Sequence, residues 1–552
     1  MGQTTRLHVE RDLAVGRRCM VAAKHPWAAE AALDVLERGG NAVDAAVTAA
    51  FAVSVVEPWM SGLGGGGFLT IEKASGERAV VDYFARAPRA ARADLYALTE
   101  SVDSDGTGYT GVEGAANANG PLSVAVPGMV AGLAVALERF GSIDLPRALA
   151  PAIRFAERGF PVGWYQTVIL ASEQRRLLGE AETARVFYPD GAPVAPGYSQ
   201  TAAALVQPDL ARTLRQIAEE GPDGFYRGQV AERMVAHLRE RGGMLAHADL
   251  AEYRPTVLEP LVMRYRDAEL VLLPFQAGGV TIAEALAILD GFDLQSTGHN
   301  TAASLHLIAE ASRRAFADRD AFVGDPDVCA TDWAMLASAE HAARRRAEID
   351  RWHASPPERT AALTASGCTT HLSVVDADGS MVALTQTLTL AFGSGVTVPG
   401  TGVLLNDSMS LFDPRPGRVN SVGPGKRPAS SMAHVIAVQN GLPVLAIGAP
   451  GGRRIMDTCL QMVVDVLDYG LDIQAACSAP VIDCSQAALL ADDRLPLGTR
   501  QRLRQMGHDV QGLTVSFWPR HFASPTGVAV DPQTGLRQGG ADPYAIGVAI
   551  GT

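Results

Sequence analysis

The residues with the clearest chemical potential stand where a linker-like stretch meets a predicted strand. Residues 351–368 are rich in Pro, Ser, Thr and Gly and show little periodicity, which predicts an exposed linker. Thr369-Thr370-His371 follows at once and opens a predicted strand. A hydroxyl residue behind a cleavable linker suits an N-terminal nucleophile, whose hydroxyl attacks the preceding carbonyl, here that of Cys368. The peptide bond becomes an ester, which water then hydrolyses.

Cleavage at this point would also supply a base. The α-amino group released on Thr369 has a reference pKa of about 7.7–8.0, so near neutral pH it can take the proton of its own hydroxyl. An internal threonine has no such base. The spacing alone leaves a second interpretation open, in which Thr369 is simply a β-branched strand residue.

The next predicted strand carries a threonine that could reach Thr369. It covers residues 381–387 and follows the first strand across a short turn. Alternation along a strand puts Thr385 and Thr387 on one face, and antiparallel pairing brings that face near Thr369. Thr387 could then orient the Thr369 hydroxyl. A ladder of cross-strand threonines without catalytic meaning is the alternative.

A glycine pair lies between a predicted strand and a predicted helix. Gly451 and Gly452 follow the strand 443–448 and precede a helix at about 453–469. Glycines at a helix N-terminus leave backbone N–H groups free and allow a ligand to come close. Such donors form an oxyanion hole, in which each contributes about 3–4 kcal/mol of transition-state stabilisation. An ordinary turn is the alternative interpretation.

We predict neither a metal nor a cofactor. The six cysteines are scattered without a CxxC pair, which fits neither a zinc site nor a dense disulfide framework. No other cluster of metal-ligand residues stands out in the sequence. The glycine run at 64–67 lacks the spacing of a dinucleotide-binding loop. Acyl transfer to a hydroxyl needs no cofactor.

The composition of the chain limits the classes of binding partner that we expect. The chain has 552 residues, is 47% hydrophobic and carries a formal charge of −13, which disfavours nucleic acid and anionic membranes as partners. The first 20 residues are charged throughout and lack the apolar stretch of a signal peptide. There is no run of about 18 apolar residues to cross a bilayer. We therefore expect a cytoplasmic protein that acts on a small molecule.

Taken together, these features resemble the γ-glutamyltransferase (glutathione hydrolase) family. The resemblance runs along nearly the whole chain. The segments that carry it are GGNAVDAAV (39–47), LGGGGF (63–68), AVPGMVAG (125–132), EGPDGFYRG (220–228), GGMLAHADLAEY (242–253), FADRDAFVGDP (316–326), TTHLSVVDADG (369–379), GPGKRPASSM (423–432), APGGRRI (449–455) and ADP (541–543).

The resemblance implies an α/β (α+β) fold, a four-layer αββα sandwich of the N-terminal-nucleophile (Ntn) hydrolase type. It implies that one precursor cuts itself between Cys368 and Thr369. The products would be a large, mostly helical subunit, 1–368, and a small, strand-rich subunit, 369–552, that stay intertwined as one domain. The assembly state stays open between this heterodimer and a dimer of heterodimers.

The resemblance also implies roles for individual residues. The matching positions are Thr369 as nucleophile, Thr387 as the threonine that assists processing, Gly451 and Gly452 as the oxyanion hole, and Ser430 and Ser431 as ligands of a substrate carboxylate.

The positions that would hold a γ-glutamyl group depart from the family pattern. An arginine that clamps the α-carboxylate, an asparagine after the assisting threonine, and two residues that hold the α-amino group are replaced. The replacements are Phe84, Thr389, Ser408 and Leu411. Arg86 or Arg89 could substitute for the clamp. Losing several charge-assisted bonds of about 1.5–3 kcal/mol each would lower kcat/KM for γ-glutamyl substrates on the order of 10³-fold or more.

The leading hypothesis is therefore an amidohydrolase with an acyl specificity other than γ-glutamyl. Bacterial cephalosporin (glutaryl) acylases and oxamate amidohydrolase are diverged relatives of this kind. A second hypothesis is a genuine γ-glutamyltransferase or glutathione hydrolase that binds its substrate through replacement residues. A catalytically silent scaffold is a third, and cleavage of a C–C bond in secondary metabolism is a fourth.

Overall fold

The structure, a computed structural model, describes most of the chain: residues 9–102, 109–197, 203–329, 331, 333–356, 368–518 and 520–552. The greater part of the predicted linker lies outside the described residues. Its last residue departs from the prediction, because Cys368 is buried and belongs to a strand. Cys368 pairs there with Thr389 of the neighbouring strand, so the exposed stretch cannot extend to position 368.

The described residues form 23 strands. In chain order they are β1 (Ala14–Gly16), β2 (Met20–Ala23), β3 (Gly66–Glu72), β4 (Arg78–Asp82), β5 (Leu98–Val102), β6 (Thr110–Val112), β7 (Phe160–Val162), β8 (Ala203–Leu205), β9 (Thr256–Leu258), β10 (Leu261–Tyr265), β11 (Ala268–Leu272), β12 (Cys368–Val375), β13 (Met381–Thr389), β14 (Thr397–Val398), β15 (Val403–Leu404), β16 (Val435–Gln439), β17 (Leu442–Gly448), β18 (Ile482–Asp483), β19 (Leu489–Asp492), β20 (Val510–Leu513), β21 (Thr526–Val530), β22 (Arg537–Ala541) and β23 (Val548–Gly551).

The same residues form 17 α-helices, and none of them is long and apolar enough to cross a membrane. They are α1 (Pro26–Glu37), α2 (Ala42–Val56), α3 (Met129–Phe140), α4 (Leu145–Arg158), α5 (Trp164–Leu177), α6 (Ala181–Phe187), α7 (Pro208–Glu220), α8 (Asp223–Tyr226), α9 (Gly228–Glu240), α10 (His247–Ala251), α11 (Gly279–Leu289), α12 (Ala302–Phe322), α13 (Trp333–Leu336), α14 (Ala339–Ala347), α15 (Arg454–Leu467), α16 (Ile473–Ser478) and α17 (Leu497–Gln505).

Two antiparallel seven-stranded sheets form the centre of the molecule. The first has the order β23-β2-β12-β13-β3-β4-β9 and the second β1-β22-β21-β17-β16-β11-β10. Their inner faces meet in one apolar layer, where Met20, Val375 and Ala383 of the first sheet contact Ile436 and Ala446 of the second. Helices α1, α2 and α3 pack on the outer face of the first sheet, and α11 and α15 pack on that of the second. Helices α4 and α12 lie against α2 and α11, respectively. The predicted αββα sandwich is confirmed.

Helix α2 shows how the sequence fixes one of these layers. All 15 of its residues are buried, as expected for a helix that is apolar on nearly every face. At its N-terminus the Asn41 side chain accepts hydrogen bonds from the backbone of Val43 and Asp44. The Asp44 carboxylate accepts one from the Asn41 N–H in return, which completes a capping box.

The hairpin of β12 and β13 lies in the middle of the first sheet. Its turn is closed by Asp376, whose carboxylate accepts hydrogen bonds from the N–H groups of Asp378 and Ser380. The other carboxylate oxygen of Asp376 accepts from the Ala42 N–H at the start of α2, over 3.0 Å. This contact ties the outer helix layer to the hairpin that carries Thr369.

A buried polar chain crosses the space between the two sheets. The His371 ring contacts the hydroxyls of Ser373 and Thr385, over 2.9 and 2.8 Å. Thr385 also contacts His434, whose other ring nitrogen lies 2.7 Å from the Thr70 hydroxyl. Both rings are fully buried, and burial lowers the pKa of each. His371, two residues after Thr369, therefore has a structural role.

The buried polar chain leads us to expect a specific pH dependence of stability. Burial lowers the pKa of His434 to about 3, whereas a histidine in the unfolded chain titrates near 6.5. The folded state binds fewer protons between these values, so the stability that the neutral ring provides above pH 6.5 is lost as the pH falls, by about 1.4 kcal/mol per pH unit. We expect the melting temperature of His434→Gln to lie below that of the wild type at pH 7.5. The difference between the two melting temperatures should be smaller at pH 5, as measured by thermal unfolding followed by circular dichroism. A difference independent of pH would contradict this expectation.

Candidate active site

Thr369 sits at an irregularity near the start of β12, where the pairing register with β13 shifts between Cys368 and Thr370. A bulge of this kind re-aims a side chain. The Thr369 hydroxyl donates a hydrogen bond to Thr387 Oγ1 over 3.3 Å. Thr387 Oγ1 in turn donates to the carbonyl oxygen of Cys368 over 2.5 Å. The two threonines that the sequence analysis paired are therefore in contact, and both face the bond between Cys368 and Thr369.

Thr387 is held in place by a second hydrogen bond. Its hydroxyl oxygen accepts from the Thr389 N–H over 2.7 Å. Thr389 adopts a φ of 96°, which is rare for a β-branched residue and indicates local backbone strain. The Thr389 hydroxyl contacts the Ser408 hydroxyl at 2.8 Å, and Ser408 is fully buried. Strain at Thr389 thus serves to aim a backbone donor at Thr387.

The glycine pair lies in the loop between β17 and α15, as predicted. Gly451 and Gly452 have φ values of +148° and +61°, in the region that favours glycine. A Cβ on Gly451 would lie 2.6 Å from the Cβ of Ala523, so the loop is also packed too closely for a side chain. The Ser524 N–H donates to the Pro450 carbonyl over 2.9 Å and fixes the loop at the residue before the pair. Gly452 lines the same pocket as Thr369.

This pocket has an empty volume of about 680 Å³, part of which is open to solvent. Its lining combines the threonines with apolar side chains and two arginines. The lining residues are Phe84, Tyr109, Arg319, Thr369, Thr387, Thr389, Leu390, Ser410, Leu411, Ala429, Ser430, Ser431, Met432, Gly452, Arg453 and Ile455.

Two of the four residues that replace the family's γ-glutamyl contacts add apolar surface to this pocket. Phe84 is fully buried and stacks on Phe68 with 5.4 Å between ring centroids. Leu411 packs against the same apolar cluster and also lines the pocket. Ser408, by contrast, does not line the pocket and acts through Thr389.

Ser430 and Ser431 also face the pocket. Ser430 is fixed at both ends of its backbone: its N–H donates to the Gln276 carbonyl over 2.9 Å, and its carbonyl accepts from Arg319 over 2.6 Å. The paired serines are therefore presented to the pocket on a firmly held segment.

Arg86 and Arg89, the candidate substitutes for the missing clamp, are not among the residues that line this pocket. The backbone of Arg86 bridges to Val126, and Arg89 is exposed and pairs with Glu252. A clamping role for Arg86 or Arg89 therefore stays a prediction.

The pocket residues that the sequence did not point to include Arg319 on α12, Arg453 immediately before α15, and Tyr109. Burial, together with the charge of the neighbouring Arg453, lowers the pKa of Arg319 to about 9; burial also lowers the pKa of Arg453. Arg453 could have been noticed, because it directly follows the glycine pair. Nothing in the sequence around Arg319 or Tyr109 indicates that they meet at this point.

Two buried clusters have ligand atoms close enough to hold a metal ion, which the sequence analysis did not foresee. One contains His306, Glu310 and His508, and the other Glu284, Asp318 and His341. In both, arginines already occupy the cluster: Arg314 pairs with Glu310, and Arg345 pairs with Asp318. Neither cluster is part of the pocket at Thr369.

The chain matches known proteins over almost its full length. Residues 28–552 match the family model described as Gamma-glutamyltranspeptidase. The Acylase ACY 1 proenzyme of Pseudomonas sp. (strain SE83) is 38% identical over 504 residues, which cover 91% of this chain and 88% of that protein. The Glutathione hydrolase proenzyme of Escherichia coli (strain K12) is 36% identical over 478 residues, covering 84% and 80% respectively.

A solved structure agrees with these matches. The cephalosporin acylase from Bacillus halodurans superposes with a TM-score of 0.88 at 29% identity, over 100% of this chain and 99% of that one. This structural match therefore covers both large sheets and every residue assigned to the pocket. This chain is a hydrolase of the gamma-glutamyltranspeptidase family.

Proposed function

We propose that this chain is a self-processing amidohydrolase that cleaves an amide through an acyl-enzyme on Thr369, with an acyl specificity other than γ-glutamyl. The observation that carries the proposal is the contact chain from the Thr369 hydroxyl through Thr387 to the Cys368 carbonyl. It joins a nucleophile, an assisting hydroxyl and a scissile carbonyl beside one pocket. The relatives' description as proenzymes supports a self-cleaving precursor.

Processing would proceed in two balanced steps. Thr369 Oγ1 attacks the Cys368 carbonyl carbon, the C–N bond breaks, and the proton leaves the hydroxyl for the departing nitrogen. The resulting ester is hydrolysed by water, which leaves a carboxylate on Cys368 and a free amino group on Thr369. The donated hydrogen bond from Thr387 would stabilise the oxyanion that forms on the Cys368 oxygen.

Two subunits made in this way would stay together. The first large sheet alternates between the two parts of the chain: β2, β3, β4 and β9 precede the cleavage point, and β12, β13 and β23 lie at or beyond it. Separation would break the pairing of β12 with β2 and of β13 with β3. This interleaving supports a large subunit 1–368 and a small subunit 369–552 that remain one folded unit.

In the mature enzyme the α-amino group of Thr369 would act as general base for its own hydroxyl. The hydroxyl attacks the substrate carbonyl, the amine leaves, and an ester to Thr369 remains until water hydrolyses it. N–H groups of the Gly451-Gly452 loop are the candidate donors to the oxyanion of both steps.

Thr387→Val offers a direct test of the assisting role. The substitution keeps the shape of the side chain but removes the donor to the Cys368 carbonyl, so we expect self-cleavage to slow about 10²-fold or more. The conversion of precursor to two fragments, followed on denaturing gels over time, measures this. Thr385→Val is the matched control, because Thr385 lies on the same strand face but contacts the two histidines. Equal slowing in both variants would count against the role given to Thr387.

The acyl specificity is tested with a panel of amides. The apolar side chains of Phe84 and Leu411 in the pocket support an acyl group that lacks the α-ammonium group of a γ-glutamyl donor. We expect the processed protein to cleave glutaryl or oxamate-type amides faster than γ-glutamyl-p-nitroanilide. A clear preference for γ-glutamyl-p-nitroanilide would contradict this part of the proposal.

One observation favours a second candidate, a genuine glutathione hydrolase. Ser430 and Ser431 keep the paired hydroxyls that, by family resemblance, bind a substrate carboxylate, and both line the pocket. The same panel of amides distinguishes this candidate, which predicts γ-glutamyl-p-nitroanilide as the preferred substrate.

A further inference from the structure

Arg453 occupies a position that local stability does not explain. It directly precedes α15, a helix of 14 residues, and thus places a cation at the positive end of the helix dipole. Its side chain is only 9% exposed. Residues that violate a local preference are often found at functional sites.

The bonding of its guanidinium is incomplete. Nη2 donates to Asp320 over 2.8 Å, and the group lies 5.4 Å from the centre of the Phe316 ring, which together fix its orientation. Nε is buried and has no hydrogen-bond partner in the described part of the chain. A buried donor without a partner is costly, and this one lies at the pocket, where a ligand could supply the acceptor.

The charge around Arg453 is also unbalanced. Arg319 is buried beside it, donates to the carbonyls of Ala277 and Ser430, and forms no ion pair with a carboxylate among the described residues. Two buried guanidinium groups therefore face the pocket, whereas the carboxylate of Asp320, at 34% exposure, pairs with Arg453. Asp483 also acts on Arg453 through its charge, but it lies 3.7 Å from Arg454, and burial raises the pKa of Asp457. Because buried charges are normally compensated, the site can accept a further negative charge.

The surroundings extend this positive region outward. A second cavity shares Tyr109, Arg319 and Arg453 with the pocket at Thr369 and continues past Arg418 and past Arg415, which pairs with Asp413. The chain as a whole carries −13. A cationic entrance on an acidic protein attracts anionic molecules towards the site.

We propose that Arg453 is a specificity-determining residue that binds an anionic group, of the carboxylate type, on the substrate amide. The inference rests on the proposed function, because the anion must be carried by an amide whose carbonyl reaches Thr369. Phe84, Leu411 and Met432 belong to one apolar cluster and line the same pocket, so the carbon chain between the carbonyl and the anion is apolar. The anion can belong to the acyl chain or to the leaving amine.

The test compares matched neutral and anionic amides on the processed enzyme. One arm varies the acyl group, with glutaryl-p-nitroanilide against pentanoyl-p-nitroanilide. The other varies the leaving group, with the pentanoyl amide of 5-amino-2-nitrobenzoate against pentanoyl-p-nitroanilide. We expect the wild type to prefer the anionic member of one arm by about 10- to 100-fold in kcat/KM, as a charge-assisted contact provides.

Three variants test whether Arg453 causes the preference for the anionic amide. In Arg453→Gln the preference should fall to within about threefold, mainly through a higher KM for the anionic amide, and Arg453→Lys should recover part of it. Arg454→Gln makes the same charge change one residue away, at an arginine that does not line the pocket and lies near Asp483, so it should keep the wild-type preference. A gel with two fragments establishes that each variant is folded and processed.

The outcomes separate the inference from the proposed function. The inference is overturned if the processed wild type shows no preference in either arm. It is also overturned if the Arg453→Gln variant keeps the preference. Neither result contradicts the proposed amidohydrolase function. A chain that stays uncut and cleaves none of these amides overturns both.

Discussion

The Thr369→Ala protein should remain one uncut chain and hydrolyse no amide above background, a loss of at least about 10⁴-fold. Alanine removes the oxygen that, in the proposed mechanism, attacks both the Cys368 carbonyl and the substrate. Neither Thr387 nor another hydroxyl can take over, because Thr387 has no free α-amino group as a base. Denaturing gels and amide hydrolysis by the purified protein measure the two losses.

Thr369→Ser is the matched control for this variant. It keeps the hydroxyl and loses one methyl group, so the contact with Thr387 can still form. We expect it to cut itself and to retain measurable hydrolysis. If Thr369→Ala were processed normally, or kept wild-type function, the nucleophile would lie elsewhere, or the chain would be a silent scaffold.

Gly451→Ala should impair amide hydrolysis much more than self-cleavage. A Cβ at this position would meet the backbone and the Cβ of Ala523 at 2.7 and 2.6 Å, and a φ of +148° is unfavourable for alanine, so the loop must shift. Misplacing an oxyanion-hole donor costs about 10²–10³ in kcat. Self-cleavage should be less affected, because the Cys368 carbonyl receives its hydrogen bond from Thr387 rather than from this loop.

The control for the backbone effect is Gly441→Ala. Gly441 has a φ of +77° in the turn between β16 and β17, and no atom lies within 4 Å of an added Cβ. It therefore carries a similar conformational cost, about 1 kcal/mol, without a collision near the pocket. Steady-state kinetics should show a large loss of kcat in Gly451→Ala only. Equal losses in both variants would indicate general destabilisation.

Local patterns in the sequence were sufficient to predict the parts of the site that lie on one hairpin and one loop. Thr369 and Thr387 are brought together by strand alternation and a short turn, and the glycine pair lies between a strand and a helix. Each depends on contacts between elements close in sequence, for which periodicity and turn chemistry are informative. The layered fold followed from the family resemblance along the chain.

The cationic part of the pocket could not be predicted in this way. Arg319 comes from a 21-residue helix, and Arg453 and Tyr109 come from segments far from it in sequence. Only tertiary packing brings these side chains together. The same holds for the buried chain from His371 to His434, because a histidine in a strand gives no local sign of the partner it will find on the opposite sheet.

The end of the predicted linker was misplaced for a related reason. Composition alone extends the linker to position 368, but Cys368 pairs with Thr389 and is buried. The pairing matters for the mechanism, since it holds the scissile carbonyl against Thr387 before cleavage. A fully flexible linker up to Thr369 would leave that carbonyl without a fixed position.

Intact mass spectrometry of the purified wild-type protein under denaturing conditions tests self-cleavage at Thr369 more directly than any variant. The proposed mechanism predicts two polypeptides, one ending at Cys368 and the other beginning at Thr369 with a free amino group. A single chain of 58.0 kDa, or two fragments that meet at any other bond, would contradict it.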